Sequence, residues 1–159
     1  MNFYTIGVYN SNEKEFFDKL ITNKIDVFCD IRQRRGVRGS KYSFVNSNKL
    51  QSKLQDSGIK YFHFLGLAPN KEIRELQKLA DLNNHELKRD RKTLGQVFIK
   101  EYKNQVVNHF NFVEFLEELK KANANNIVLF CVEESYKACH RSLVAEKLNS
   151  EFGFNVKNI

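Results

Sequence analysis

The stretch Asn126-Ile-Val-Leu-Phe130-Cys131-Val-Glu133-Glu-Ser-Tyr-Lys-Ala-Cys139-His140-Arg141-Ser142-Leu143-Val144 decides the fold. Its apolar run up to Phe130 has the length and composition of a strand covered on both faces. A polar loop follows, and then Leu143, Val144, Leu148 and Phe152 recur at helical spacing. Strand, loop and helix in that order form the repeating unit of an α/β fold. The helix opens on a thiol, an imidazole and a guanidinium. Unpaired N–H groups and the positive dipole end of a first turn favour an anion there and ease ionisation of a nearby thiol.

The same alternation extends through the chain. Residues 3–9 read as a first strand, and Asn10 or Asn12 caps a helix whose apolar face is Phe16, Phe17, Leu20 and Ile21. Residues 26–31 form a second short apolar run. An Arg-rich loop leads to a helix opened by Asn46 or Ser47 and closed at Gly58. Residues 59–65 make a third strand, and a helix over 70–80 follows the only proline, Pro69. The polar residues 81–93 read as an exposed connection. Helices over 94–107 and 112–122, the strand at 126–132, a helix over 140–152 and a last strand at 154–159 complete the chain. The expected architecture is a single α/β domain over residues 1–159, layered, with a mainly parallel sheet of about five strands flanked by helices.

A chain of 159 residues that is 42% hydrophobic can build one real core. No apolar stretch approaches the ~20 residues of a membrane span, and the N-terminus enters a strand without the regions of a signal peptide. Three cysteines in such a chain point to unpaired thiols and a cytoplasmic location. The formal charge is +7 and the pI near 9.3, a balance that favours anionic partners, above all nucleic acid. The excess is clustered. Arg32, Arg34, Arg35, Arg38 and Lys41 fall within ten residues containing two glycines and no acid, a loop suited to phosphate contact. Lys88, Arg89, Arg91 and Lys92 form a second cluster, read as solvated surface.

In open parallel sheets the ligand crevice lies beyond the carboxyl ends of the strands. Asp30 and Arg32, His63, Cys131 and Glu133, and the helix start at Cys139, His140, Arg141 and Ser142 all fall at such ends. Each also has a structural reading. Asp30 and Arg32 could form an ion pair, His63 could be a satisfied core histidine, and Cys29 and Cys131 could pack as small hydrophobes. Cys139 is equally at home as a reactive or an inert thiol. The chain has no Cys-x-x-Cys pair and no His-x-x-x-His pair, so no metal is expected. Cys131 to Arg141 is too long for the anion-cradling loop of a rhodanese or a tyrosine phosphatase.

Four motifs occur together in order: Thr5-Ile6-Gly7, Asp30-Ile-Arg32, Gly58-Ile59-Lys-Tyr61-Phe-His63-Phe-Leu65-Gly66, and Cys131-Val-Glu133 followed by Cys139-His140-Arg141. On these the chain resembles the domain of unknown function 488 family. The resemblance covers nearly the whole length and implies a small α/β protein with a site where the motifs meet. Two departures stand out: the basic Gln33-Arg34-Arg35-Gly36 replaces a proline common after Asp-x-Arg, and Leu67-Ala68-Pro69 replaces a second glycine.

Two functions fit these residues. The first is a nucleotide- or nucleic-acid-directed enzyme or enzyme-like domain, in which Arg32, Arg141 and Ser142 hold a phosphate. Asp30 or Glu133 then acts as general acid or base, His63 or His140 moves a proton, and Cys139 is a possible nucleophile. The second is a non-catalytic nucleic-acid-binding module that uses Arg34, Arg35, Arg38 and Lys41 on phosphates and Tyr42 and Phe44 on bases. A thiol-based redox domain using Cys131 and Cys139 is a third. No cofactor is implied by the sequence, and the expected partner is a nucleic acid or nucleotide.

Overall fold

The structure, a computed structural model, describes residues 1–85, 87 and 90–159. Five strands form one all-parallel sheet in the order β3-β2-β4-β1-β5. They are β1 (Asn2–Ile6), β2 (Val27–Asp30), β3 (Lys60–His63), β4 (Asn126–Phe130) and β5 (Val156–Asn158). The central strands are apolar on both sides because both faces carry helices. Val27 to Asp30 are all buried, and so are Ile127 to Phe130. The edge strand β3 is only partly covered.

Helices α1 (Glu13–Thr22) and α2 (Ser47–Asp56) pack on one face through Phe16, Leu20, Leu50 and Leu54, against Phe28, Val128 and Phe130. Helices α3 (Lys71–Asn83), α4 (Gln96–Tyr102), α5 (Phe112–Lys121) and α6 (Arg141–Phe152) share the core of the other face with Phe3, Val27, Cys29, Ile127 and Leu129. A short π-helical segment, Lys103–Val107, continues α4. The expected single layered α/β fold is the one observed. Asn12 is the cap of α1 and forms a full capping box with Glu15. Gly153 ends α6 in the left-handed conformation.

One expectation fails. Residues 81–93 are not simply an exposed connection: α3 runs to Asn83, and Asp81 and Arg91 are buried. Lys88 and Arg89 of the second basic cluster lie outside the described residues. Among the described residues, no helix is long and apolar enough to cross a membrane.

Topology positions the site. The chain leaves β2 toward β3 but leaves β4 in the other direction, toward β5. The sheet therefore switches direction between β2 and β4, where a crevice opens at the carboxyl ends.

Candidate functional site

The cleft at that switch point has a volume of about 950 Å³. Its floor includes Arg32, Cys131, Glu133 and His140. One wall is the basic loop with Arg34, Arg38, Lys41 and Tyr42, and the opposite wall comes from α3 and the following segment with Arg74, Asp81 and Arg91. Seven cationic and four acidic side chains line it, so the cleft is net positive.

The loop between β4 and α6 is pinned from several sides. Val8 and Tyr9 donate backbone N–H groups to the Val132 carbonyl at 3.1 and 3.0 Å. Arg141, wholly buried, donates to the carbonyls of Glu133 (2.6 Å) and Glu134 (2.9 Å). Gly7 lets the loop approach β1: a Cβ there would lie 2.0 Å from the Glu133 carbonyl oxygen. Arg141 thus holds backbone and does not line the cleft, contrary to its expected role on a phosphate. The Ser142 hydroxyl is likewise occupied, donating to the Cys139 carbonyl at 2.8 Å.

Asp30 and Arg32 meet as the sequence allowed, in a buried bidentate pair at 2.9 and 2.7 Å. Asp30 also accepts from the Arg32 backbone N–H (3.1 Å) and the Tyr61 hydroxyl (2.9 Å), so its oxygens are occupied. The Arg32 guanidinium donates to the Val45 carbonyl at 3.0 Å and lies 4.5 Å over the Phe130 ring. Its Nη1 is buried and has no partner among the described residues. His63 donates from Nε2 to the Arg32 carbonyl at 2.9 Å and does not reach the cleft. Burial and the charge of Asp30 push the Tyr61 hydroxyl up to about 12, although Arg35, hydrogen-bonded to it, works the other way. Arg35 does not line the cleft, whereas Arg34, Arg38 and Lys41 do, together with Arg32 on its floor.

The second group is different in kind. His140 is buried, and its Nε2 donates to the Ile31 carbonyl at 3.0 Å. Its Nδ1 faces two sulfurs, Cys131 Sγ and Cys139 Sγ, each at 3.8 Å. The Cys131 thiol donates to Glu133 Oε2 at 3.2 Å. Burial works to raise the Cys139 thiol, but the Cys131 hydrogen bond and the charges of His140 and Arg141 outweigh it and hold Cys139 well below the usual range. Burial also opposes a charged His140, yet the Cys139 thiolate, Glu133 and the Ile31 carbonyl raise it. Both shifts run toward the thiolate–imidazolium form of the pair. Cys29 provides the contrast: buried within β2, its thiol is pushed well up, and it behaves as a small hydrophobe. Cys131 shares that burial but reaches the cleft and contacts the pair, so packing alone does not describe it.

Arg91 completes the group and is the residue that sequence reasoning missed. It bridges Asp81 (3.0 Å) and Glu133 (3.1 Å), and donates twice to the Ala138 carbonyl. Its only visible signal is membership of a charged run that looks like solvated surface.

The family model described as domain of unknown function DUF488 matches residues 12–148, which include every cleft-lining residue except Tyr9 and Asn10. The chain belongs to the DUF488 family. No curated protein and no solved structure matches it. Within the DUF488 match, the motif residues divide in two. Asp30, Arg32, Tyr61 and His63 tie β2 to β3 and the basic loop, whereas Cys131, Glu133, Cys139 and His140 are drawn together at the base of the cleft.

Proposed function

We propose that the cleft holds a nucleotide, free or within a nucleic acid, and that the chain is a nucleotide- or nucleic-acid-directed enzyme or enzyme-like domain. The observation that carries this reading is that the cationic loop and the Cys131–Glu133–His140 group line one cleft. Among the described residues Arg34, Arg38 and Lys41 have no carboxylate partner, so their charge is available to phosphate oxygens. Arg32 adds the unmatched Nη1, a buried donor whose lack of a partner a bound anion would relieve. Tyr9 and Tyr42, with ring centroids 5.3 Å apart, offer an aromatic surface to a base. The volume lies at the upper end of the roughly 300–1,000 Å³ range of small-molecule sites.

Beneath the phosphate contacts, His140 reaches the cleft as a group able to give a proton and Glu133 as a carboxylate able to take one, while Cys139, buried behind them, acts only through His140. A binding module using residues 32–41 alone would need only the rim. It gives no reason for two thiols, an imidazole and a carboxylate gathered below it.

The test is binding of nucleoside monophosphates and short single- and double-stranded DNA and RNA across a salt series. Wild type is run beside an Arg34→Ala/Arg38→Ala/Lys41→Ala variant. The expected result is salt-sensitive binding that weakens about tenfold or more in the variant, with a log–log salt slope shallower by up to about 2–3 for a polynucleotide. Binding of no nucleotide or nucleic acid, or binding unchanged in the variant, overturns the reading. Tight binding with no conversion of any bound nucleotide by wild type favours the module instead.

A further inference from the structure

We infer that Cys131, Cys139 and His140 form a binding site for one zinc ion, with its fourth coordination position open to the cleft. Their ligand atoms lie within 4.8 Å of one another, and all three residues are buried. The chemistry of the set is selective. Two thiolates and an imidazole suit zinc and do not suit magnesium or calcium, which take oxygen ligands.

The geometry is close to that of a bound ion. Zinc–sulfur and zinc–nitrogen bonds of about 2.3 and 2.0 Å at a tetrahedral angle place sulfur and nitrogen roughly 3.5 Å apart. The two observed separations from Nδ1 are both 3.8 Å and need only a few tenths of an ångström of contraction. The two sulfurs, within 4.8 Å of each other, would close to about 3.8 Å on one ion by side-chain rotation. Orientation is already fixed. His140 donates Nε2–H to the Ile31 carbonyl and thereby turns Nδ1 toward the sulfurs, as metal-bound histidines are held by a backbone carbonyl on their other nitrogen. The Tyr102 ring, 5.4 Å from the imidazole, backs it from the core.

Three protein ligands leave one position vacant, as in catalytic rather than structural zinc sites. Cys131 and His140 line the cleft and Cys139 does not, so that position faces the cleft. Glu133 sits beside it, 3.2 Å from Cys131 Sγ, and Arg91 holds its other oxygen at 3.1 Å. Glu133 is therefore placed next to the ion without being needed as a ligand. A water on the vacant position would be acidified and within reach of that carboxylate. The spacing explains why sequence reading expected no metal: seven residues lie between Cys131 and Cys139, and His140 adjoins the second thiol, so no familiar ligand motif is present.

The site is tested on the whole chain, without nucleotide, so its outcome is independent of the nucleotide reading. Reduced wild-type protein is stripped with a chelator and titrated with zinc against a chromophoric competitor, then with cobalt(II). One equivalent of zinc per chain is expected. Cobalt should give visible bands of a tetrahedral site and thiolate charge-transfer absorption, which requires sulfur in the first shell. Cys131→Ser, Cys139→Ser and His140→Gln should each weaken zinc binding by about 100-fold or more, while Glu133→Gln should retain it. Wild type that takes up no zinc at micromolar concentration, or cobalt bound without thiolate absorption, overturns the proposal even if the substituted proteins fail to fold. Loss of zinc in Glu133→Gln overturns the open position, because the carboxylate would then be the fourth ligand. Oxidation of Cys131 and Cys139 to a disulfide by mild peroxide at the same rate with and without zinc also counts against it.

Discussion

Two polar groups sit at the carboxyl ends of neighbouring strands, and they differ in what their atoms are bound to. After β2, Asp30 and Arg32 close on each other, with Tyr61 and the carbonyl of Val45 taking most of the remaining hydrogen-bonding capacity. After β4, Cys131, Glu133 and His140 reach the cleft, and the sulfurs and Nδ1 face one another across gaps of 3.8 Å. The first arrangement is a framework that fixes where the basic loop leaves the sheet. The second is held from behind by Arg141 and by the Ile31 carbonyl, and its front lines the cleft. Motif residues of one family thus divide into those that tie strands and loop together and those that gather at the base of the cleft.

The sharpest way to break this comparison is to remove Arg32. Asp30 is wholly buried, and without its partner it would carry an uncompensated charge, or take up a proton. Arg32→Leu should lower the unfolding free energy in urea by about 3–5 kcal/mol. A loss under about 1 kcal/mol would show that the pair is not the framework. Arg91→Leu should cost less, about 2–3 kcal/mol by the same measurement, because Arg91 contributes charge-assisted hydrogen bonds at a cleft wall that water can enter. If the order is reversed, the cleft group is the framework and the distinction fails.

The layering was legible because alternation between a continuous apolar run and a helical period survives at every unit, as at 126–130 followed by 143–152. Strand order was not, since it depends on which runs pair over long range. β4, late in the chain, inserts between β2 and β1. Within the site, the gathering of Cys131, Glu133, Cys139 and His140 followed from the rule on strand ends. Arg141 shows the limit of that rule. A guanidinium in a first helical turn reads as an anion site, but which way it points depends on Gly7 and on the carbonyls of Glu133 and Glu134. Arg91 and Asp81 were hidden for a related reason: a buried ion pair and a solvated one use the same residues.

Tyr61 sharpens the comparison at its smallest expected effect. Its hydroxyl donates to Asp30 from the half-covered edge strand, so Tyr61→Phe should cost only about 1 kcal/mol near neutral pH. The pH dependence carries more information. The folded state holds the hydroxyl protonated up to about 12, above its ordinary 10.0, because burial and Asp30 oppose the phenolate. This contribution to stability is complete below pH 10 and declines as the pH rises toward 12, because the unfolded chain loses that proton first. Wild type should therefore lose stability more steeply than Tyr61→Phe across that interval, and the two curves should converge. Parallel curves would mean that Asp30 exerts no field on Tyr61, and the β2 group would then be a single ion pair rather than a linked framework.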